Sequence, residues 1–366
     1  MGVVTMKDVA RKAGVSVGTV SNVLNGKPNV SSQLRRKVER AVKELGYQRK
    51  RKGDGPVRNG FVTVFGLSIK NKYTTASTAL TYAVKQRAEE HGIQVIEYDN
   101  ENSPEKQIMQ INEMIERKMD AIICTPVQHD SLADSFEKCR KSGIPIILLN
   151  RDVSNGEPTA AIVSDNEAAG RDLALYAAIS LNGRQGNILE IRGEQGDLNC
   201  WHRHKGFTSE LEKWPHLRIV TDYESTWTAT HEWDNSYEIT MQALAEHPDI
   251  NVIFCHTDAS FRGVIRALEK TDRLYPQSHM NHLLLLGVDG SNYALEQIRT
   301  GYADCLSEQR VWTQAIKSVD MALEAAQAVP KTLGAHYLNT ILVTRHNVDH
   351  VAHWADMLDK ALALPV

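Results

Sequence analysis

Apolar and polar positions follow two rhythms along this chain, and the change from one to the other falls near residue 60. Over the first 48 residues apolar side chains recur at helical spacing in three short runs. Thr5 is placed to cap the first run, with Asp8 three residues on; Val9 and Ala10 open the apolar face and Gly14 ends it. Ser16 caps a second helix with Val20, Val23 and Leu24 inward, stopped by Asn25-Gly26. Ser31 caps a third, in which Leu34, Val38, Ala41, Val42 and Leu45 recur at helical spacing while Arg35, Arg36, Lys37, Arg40 and Lys43 face mostly outward. Residues 49–60, which contain KRKGDGPVRNG, break the pattern and read as a hinge or linker.

From Phe61 onward short apolar runs alternate with amphipathic segments, the pattern of βαβ units and parallel sheets. One sheet is expected from strands near 61–69, 93–99, 121–125 and 144–150, with helices near 76–91, 105–118 and 130–142 between them. A second is expected from 160–165, 187–193, 218–223, 251–256 and 283–289, with helices near 167–181, 201–213, 232–246, 259–270 and 291–300. The fold class is therefore α/β: a three-helix N-terminal head on a body of two similar lobes, with a ligand cleft at the carboxyl ends of the strands.

Composition narrows the classes. With 42% hydrophobic and 24% charged residues the chain is ordinary globular material, neither disordered nor membrane-embedded, and 366 residues suffice for two or three domains. No stretch of eighteen apolar residues occurs, and the N-terminus is charged where an export signal would be apolar, so a cytoplasmic protein with no membrane partner is expected. The net charge of −3 hides a division: residues 1–58 hold fourteen Lys or Arg against four acids, a balance of +10, which leaves −13 for the rest. A basic head of this kind suits a polyanion. Cys124, Cys139, Cys200, Cys255 and Cys305 are widely spaced without a CxxC pair, which points to buried thiols rather than a disulfide framework.

The run TMKDVARKAGVSVGTVSNVLNGKPNVSSQLRRKVERAVKELGY resembles, without a gap over residues 5–47, the helix-turn-helix domain of the lac-repressor (LacI/GalR) family of transcription regulators. The resemblance implies phosphate contacts from Thr5, Ser16, Thr19, Ser21, Asn29, Ser31 and Tyr47. It implies base reading from Val17, Gly18 and Asn22, of which Asn22 alone offers a polar side chain. Asn25, Lys50 and Arg51 complete the expected DNA surface. The family's usual hinge helix inserts a leucine at the operator centre; here Gly53, Asp54, Gly55 and Pro56 stand instead, so the linker is either a phosphate-contacting hinge without a wedge or a flexible tether.

The body, residues 61–345, resembles sugar-binding periplasmic proteins of the ribose and galactose type. That implies lobe one over about 61–162 and 310–329, lobe two over about 163–306 and 336–344, and a C-terminal tail, 346–366, expected to be helical. Sugar hydroxyls call for Arg, Asp and Asn, and a pyranose face for an aromatic plate. Asn150, Arg151, Asn199, Arg203, Trp233, Thr257, Asp289 and Gln309 match the family's ligand positions, and Asn71 and Tyr73 lie on the first strand's loop. Asp289 equally fits a helix cap and Trp233 a core position.

No P-loop, GxSxG elbow or strand-following GxGxxG occurs, so no catalytic residue and no cofactor is assigned. His346, His350 and His353 would share one helix face, as metal ligands or as part of a packing helix with Val351, Trp354, Leu358 and Leu362; no metal is assigned. The expectation is a homodimer, or a tetramer, that binds double-stranded operator DNA and is controlled by a small-molecule sugar effector. The alternatives are the same architecture sensing a purine or sugar phosphate, and a sugar-binding protein without a DNA role.

Overall fold

A computed structural model of the protein describes residues 6–16, 19–20, 23, 32–45, 63–71, 74–193, 196–224, 232–327 and 332–363. The chain divides into two compact units, Met1–Asp54 and Gly55–Val366.

In the smaller unit, helices Met6–Ala13 and Ser32–Leu45 are joined by further helical residues at Thr19, Val20 and Val23. Val9, Ala10, Val20, Val23, Val38 and Ala41 are buried together, with Ala13, Val15 and Val42 against them. Val9, Ala10, Val20, Val23, Val38, Ala41 and Val42 come from the helical spacing expected of them, whereas Ala13 and Val15 were not singled out by it. Leu34, expected on the same inner face, is 37% exposed.

Among its described residues the larger unit carries twelve strands: β1 Val64–Ile69, β2 Gln94–Asp99, β3 Ala121–Cys124, β4 Ile146–Leu149, β5 Ala160–Ser164, β6 Gly186–Arg192, β7 Leu217–Glu224, β8 Val252–Cys255, β9 Leu284–Asp289, β10 Cys305–Glu308, β11 Gly334–Leu338 and β12 Ile341–Thr344. They form two six-stranded sheets, in the orders β11-β5-β4-β3-β1-β2 and β12-β10-β9-β8-β6-β7. Of the described pairings, that of β10 with β12 is antiparallel and the others are parallel. Central strands such as AIIC (β3), IILL (β4) and VIFC (β8) are buried at every residue, as strands covered by helices on both faces must be. On the first sheet, helices Thr75–Glu90 and Val311–Gln327 pack together, as do Pro104–Glu116 and Ala133–Lys141. On the second, the pairs are Asn166–Leu181 with Leu198–Leu211 and Glu232–Glu246 with Phe261–Lys270.

Three sequence expectations need correction. The strand at 160–165, expected in the second sheet, is β5 of the first, where Ile147, Leu148 and Leu149 of β4 pair with Ala160, Ala161 and Ile162. Periodicity finds a strand but not its neighbour, and the 155–159 connection carries β5 back alongside β4 instead of across. The closing segment at 336–344, expected wholly in lobe two, is divided: β11 lies parallel to β5 in the first sheet and β12 antiparallel to β10 in the second. The chain therefore passes between sheets after β5, after β10 and after β11. Finally, the helix expected to align His346, His350 and His353 starts only at Trp354; residues 345–350 are turns. Among the described residues no helix is long and apolar enough to cross a membrane, and no group of three or more His, Cys, Asp or Glu side chains is placed to hold a metal ion.

Candidate functional site

Where the carboxyl ends of the two sheets face each other lies a cavity of about 190 Å³, the position at which open parallel sheets receive ligands. Its first-lobe wall is built from residues that directly follow strands: Lys70 and Asn71 after β1, Thr125 after β3, and Asn150-Arg151 after β4. Helix Thr75–Glu90 also points its N-terminus there, capped by the Thr74 hydroxyl, which accepts from the Ser77 amide at 3.2 Å. Buried Gln107 fixes the end of β3 by donating to the Thr125 carbonyl at 2.9 Å and accepting from the Val127 amide at 3.0 Å. The Thr125 hydroxyl itself is buried on the cavity wall and has no hydrogen-bond partner among the described residues. An orphan of this kind costs about 1–3 kcal/mol unless something entering the cavity satisfies it.

The second-lobe wall centres on Arg203, 3% exposed, carried by helix Leu198–Leu211. Its guanidinium donates to Asn166 Oδ1 at 2.8 Å, to the His256 carbonyl, and to Asp289 Oδ1 at 3.4 Å. Asp289 ends β9 at φ +121°, and Asn150, directly after β4, stands at φ +66°. Both are in backbone regions that cost energy for residues other than glycine, and such positions cluster at ligand sites. Asp258 accepts from the amides of Gly290 and Ser291 at 2.8 and 2.6 Å, which fixes the loop after β9.

Several bonds already join the two lobes. Asn150 Nδ2 donates to Gln309 Oε1 at 2.9 Å, Asn199 Nδ2 donates to the Asn150 carbonyl at 3.0 Å, and Arg151 meets Asp197 at 2.6 Å. Gln309 in turn donates to Asp289 at 2.5 Å and accepts from the Ser164 hydroxyl at 3.1 Å. Polar groups that a ligand would use are thus held in place by one another.

Three described cations line the cavity, Lys70, Arg151 and Arg203, against three carboxyls, Asp197, Asp258 and Asp289. Burial raises the Asp197 carboxyl, but Arg151, Lys70 and Arg203 overcome it and hold Asp197 below the usual range. For Asp289, burial outweighs Arg203 and the carboxyl is pushed up. Asp258, buried beside Asp289, is pushed up to about 7. The five cysteines are free and buried, and burial pushes Cys200, on the cavity wall, up to about 12, far from the thiolate a nucleophile needs.

Of the ligand residues expected from sequence, Asn71, Asn150, Arg151, Asn199, Arg203, Thr257, Asp289 and Gln309 all line this one cavity. Thr257 also caps a short turn, its hydroxyl accepting from the Ala259 amide at 3.3 Å. Tyr73 and the side chain of Trp233 lie outside the described residues. Sequence reasoning missed Thr125, Asp197 and Trp354, which also line the cavity. Asp197 was findable, since it stands two residues before Asn199 at the head of the same helix. On the head, Ser16 caps as expected: its Oγ accepts from the Thr19 amide at 3.0 Å and lies 2.9 Å from the Thr19 hydroxyl. Thr5, Val17, Gly18, Ser21, Asn22, Asn25, Asn29, Ser31, Tyr47, Lys50 and Arg51 lie outside the described residues.

Two parallel-sheet lobes closing over a polar cavity define a hinged small-molecule-binding body. The chain belongs to the periplasmic binding protein domain family, whose model matches residues 65–329, and it carries a bacterial regulatory domain of the lacI family over residues 5–50. It is similar to the ribose operon repressor of Halalkalibacterium halodurans, 26% identical over 93% of this chain and 96% of that protein. It is also similar to catabolite control protein A of Priestia megaterium, 26% identical over 79% of this chain and 83% of that one. Among solved structures, a solute-binding protein of Bacillus halodurans with bound myo-inositol superposes with a TM-score of 0.71 at 26% identity, covering 78% of this chain and 96% of that one. The combination is that of a carbohydrate-responsive DNA-binding regulator.

Proposed function

We propose that the chain represses transcription from an operator while its cleft is in one ligand state, and that a monosaccharide or similar cyclic polyol, held between the lobes, sets that state. The observation that carries this reading is the meeting of Asn150, Arg151, Asn199, Arg203, Asp289 and Gln309 around one cavity in a chain that also has a DNA-binding head. These are the bidentate donors and acceptors that vicinal hydroxyls require.

Arg151 and Arg203 already have Asp197 and Asp289 as partners, which favours a neutral ligand over the alternative, a purine or sugar phosphate. Among the described lining residues none is arranged as an activated nucleophile, in keeping with a site that binds its ligand.

Two copies bind one roughly palindromic operator in the cytoplasm, each head reading a half-site. Ligand acts by binding two lobe arrangements unequally; with equal affinities it would shift nothing. The test is a fluorescence-anisotropy titration of the full chain on candidate operator duplexes, with and without saturating D-ribose, D-allose or myo-inositol. A change of tenfold or more in duplex affinity with one of them is expected. Unchanged affinity in the presence of a sugar that demonstrably binds would end the reading.

A further inference from the structure

The C-terminal segment is built into the cleft. Trp354, 3% exposed, lines the cavity, and its indole N–H donates to the Asp289 carbonyl at 2.9 Å. Its own amide donates to Glu308 Oε1 at 3.2 Å. Glu308 Oε2 also meets His353 Nδ1 at 2.5 Å, and the other ring nitrogen of that buried histidine lies 2.6 Å from the Val348 carbonyl. The indole is thereby fixed in position with its polar atom already used, which leaves only its apolar face for anything that enters.

The segment holds on to both lobes. Helix Trp354–Ala363 packs against Thr75–Glu90 and Val311–Gln327, which cover the first sheet. Toward the second sheet, Asn292 Nδ2 donates to Asp359 Oδ2 at 2.7 Å and Arg299 Nε to Asp349 Oδ1 at 2.8 Å. Val348, Trp354, Ala355 and Leu358 belong to the same continuous core as Phe65 of β1 and Leu285 of β9. A change in lobe angle must therefore move Trp354 against at least one cavity wall.

We propose that Trp354 is the aromatic plate of the ligand site, taking the C–H face of a cyclic polyol, and that residues 345–363 are a working part of the sensor. The proposal rests on the reading that such a polyol enters the cleft. A cleft lined by amides, carboxyls and guanidinium groups satisfies hydroxyls but offers little to the apolar face of a ring; among the described lining residues Trp354 is the aromatic side chain. Stacking of this kind is worth on the order of tenfold in affinity.

The test is isothermal titration calorimetry of the full chain with D-ribose, D-allose and myo-inositol, alongside Trp354→Ala, Trp354→Phe and Asn292→Ala, each with its thermal midpoint measured. Trp354→Ala should weaken the tightest of the three by about tenfold or more and flatten the differences among them. Trp354→Phe, which keeps a ring but not the N–H, should stay within about threefold, and Asn292→Ala, which loosens the segment away from the cavity, within about twofold. If the unaltered chain binds one sugar and Trp354→Ala binds it as tightly, or Trp354→Phe loses as much as Trp354→Ala, the proposal is overturned while the polyol reading stands. If the unaltered chain binds none of the three, the polyol reading itself falls.

Discussion

Gly170 and Arg203 meet backbone to backbone: a β-carbon on Gly170 would lie 2.0 Å from the Arg203 carbonyl oxygen. The contact is returned where a β-carbon on Gly206 would lie 1.9 Å from the Glu167 carbonyl oxygen. Helices Asn166–Leu181 and Leu198–Leu211 therefore cross at glycine, and the depth of that crossing sets where the Arg203 side chain enters the cleft. Neither obstacle is the tip of a flexible side chain, so one added methyl can be accommodated only by moving the helices apart. Gly170→Ala should cost about 1–3 kcal/mol, several degrees in midpoint for a body of this size, and should weaken sugar binding as well. Differential scanning calorimetry and titration of the same sample check both parts. An unchanged midpoint would mean that the crossing is looser than described.

Thr125 separates affinity from stability in the opposite sense. Its buried hydroxyl has no partner among the described residues, so Thr125→Val, which keeps the shape and removes the orphan, should leave the thermal midpoint unchanged or raise it. If a ligand hydroxyl is what completes that group, the same change should weaken the cognate sugar by about 1–2 kcal/mol, roughly five- to thirtyfold. A variant that binds the sugar as well as the parent would remove Thr125 from the site.

The sequence was informative where chemistry is local and silent where it depends on which strand pairs with which. Helical spacing located Val9, Val20 and Val38, and the family resemblance located Asn150, Arg203 and Asp289, of which Asn150 and Asp289 stand at strand ends that a parallel sheet delivers to one edge. The assignment of β5 and the division of the closing segment into β11 and β12 depend on register between distant segments, to which a period-two pattern is blind. Thr125 follows β3 as Asn150 follows β4, but a lone hydroxyl at the end of an apolar run does not stand out from other strand ends. Trp354 misled for a physical reason: an indole at helical spacing with Leu358 and Leu362 looks like a packing residue, and it does pack. Only the fold reveals that one of the surfaces it meets is the cavity.

A buried cluster beneath Arg203 predicts the pH behaviour of the body. Glu190, 0% exposed, lies 2.8 Å from His256 Nε2 and 3.0 Å from His204 Nδ1. Burial raises the Glu190 carboxyl, but the bonds from His204 and His256 outweigh it and hold Glu190 at about 2. His204 is raised by its bond to Glu190, and fully buried His256 is lowered by burial. A carboxyl held below its unfolded value stabilises the fold in full above that value and ceases to do so as pH falls through the folded one. The stability difference between the parent and Glu190→Gln should therefore shrink by on the order of 3 kcal/mol as pH falls from about 4.5 to 2. Urea midpoints at pH 7, 5, 4 and 3 provide the measurement, and a gap that stays constant down to pH 3 would contradict the assignment.

The division of the chain into Met1–Asp54 and Gly55–Val366, each with its own buried core, makes the two activities separable. Removal of residues 1–60 should abolish duplex binding and leave the calorimetric affinity for the sugar within about twofold, since no described residue lining the cavity precedes Lys70. In the full chain, duplex affinity should fall steeply with salt, because residues 1–58 hold fourteen Lys or Arg and each phosphate neutralised releases counterions. Contact with six or more phosphates per complex would lower affinity on the order of a thousandfold between 50 and 200 mM salt. The affinity of the sugar, held among paired charges in a partly closed cavity, should change little over the same range, because a neutral ligand adds no charge for salt to screen. Equal salt slopes for duplex and sugar, or duplex binding that survives the truncation, would place the polyanion surface on the body.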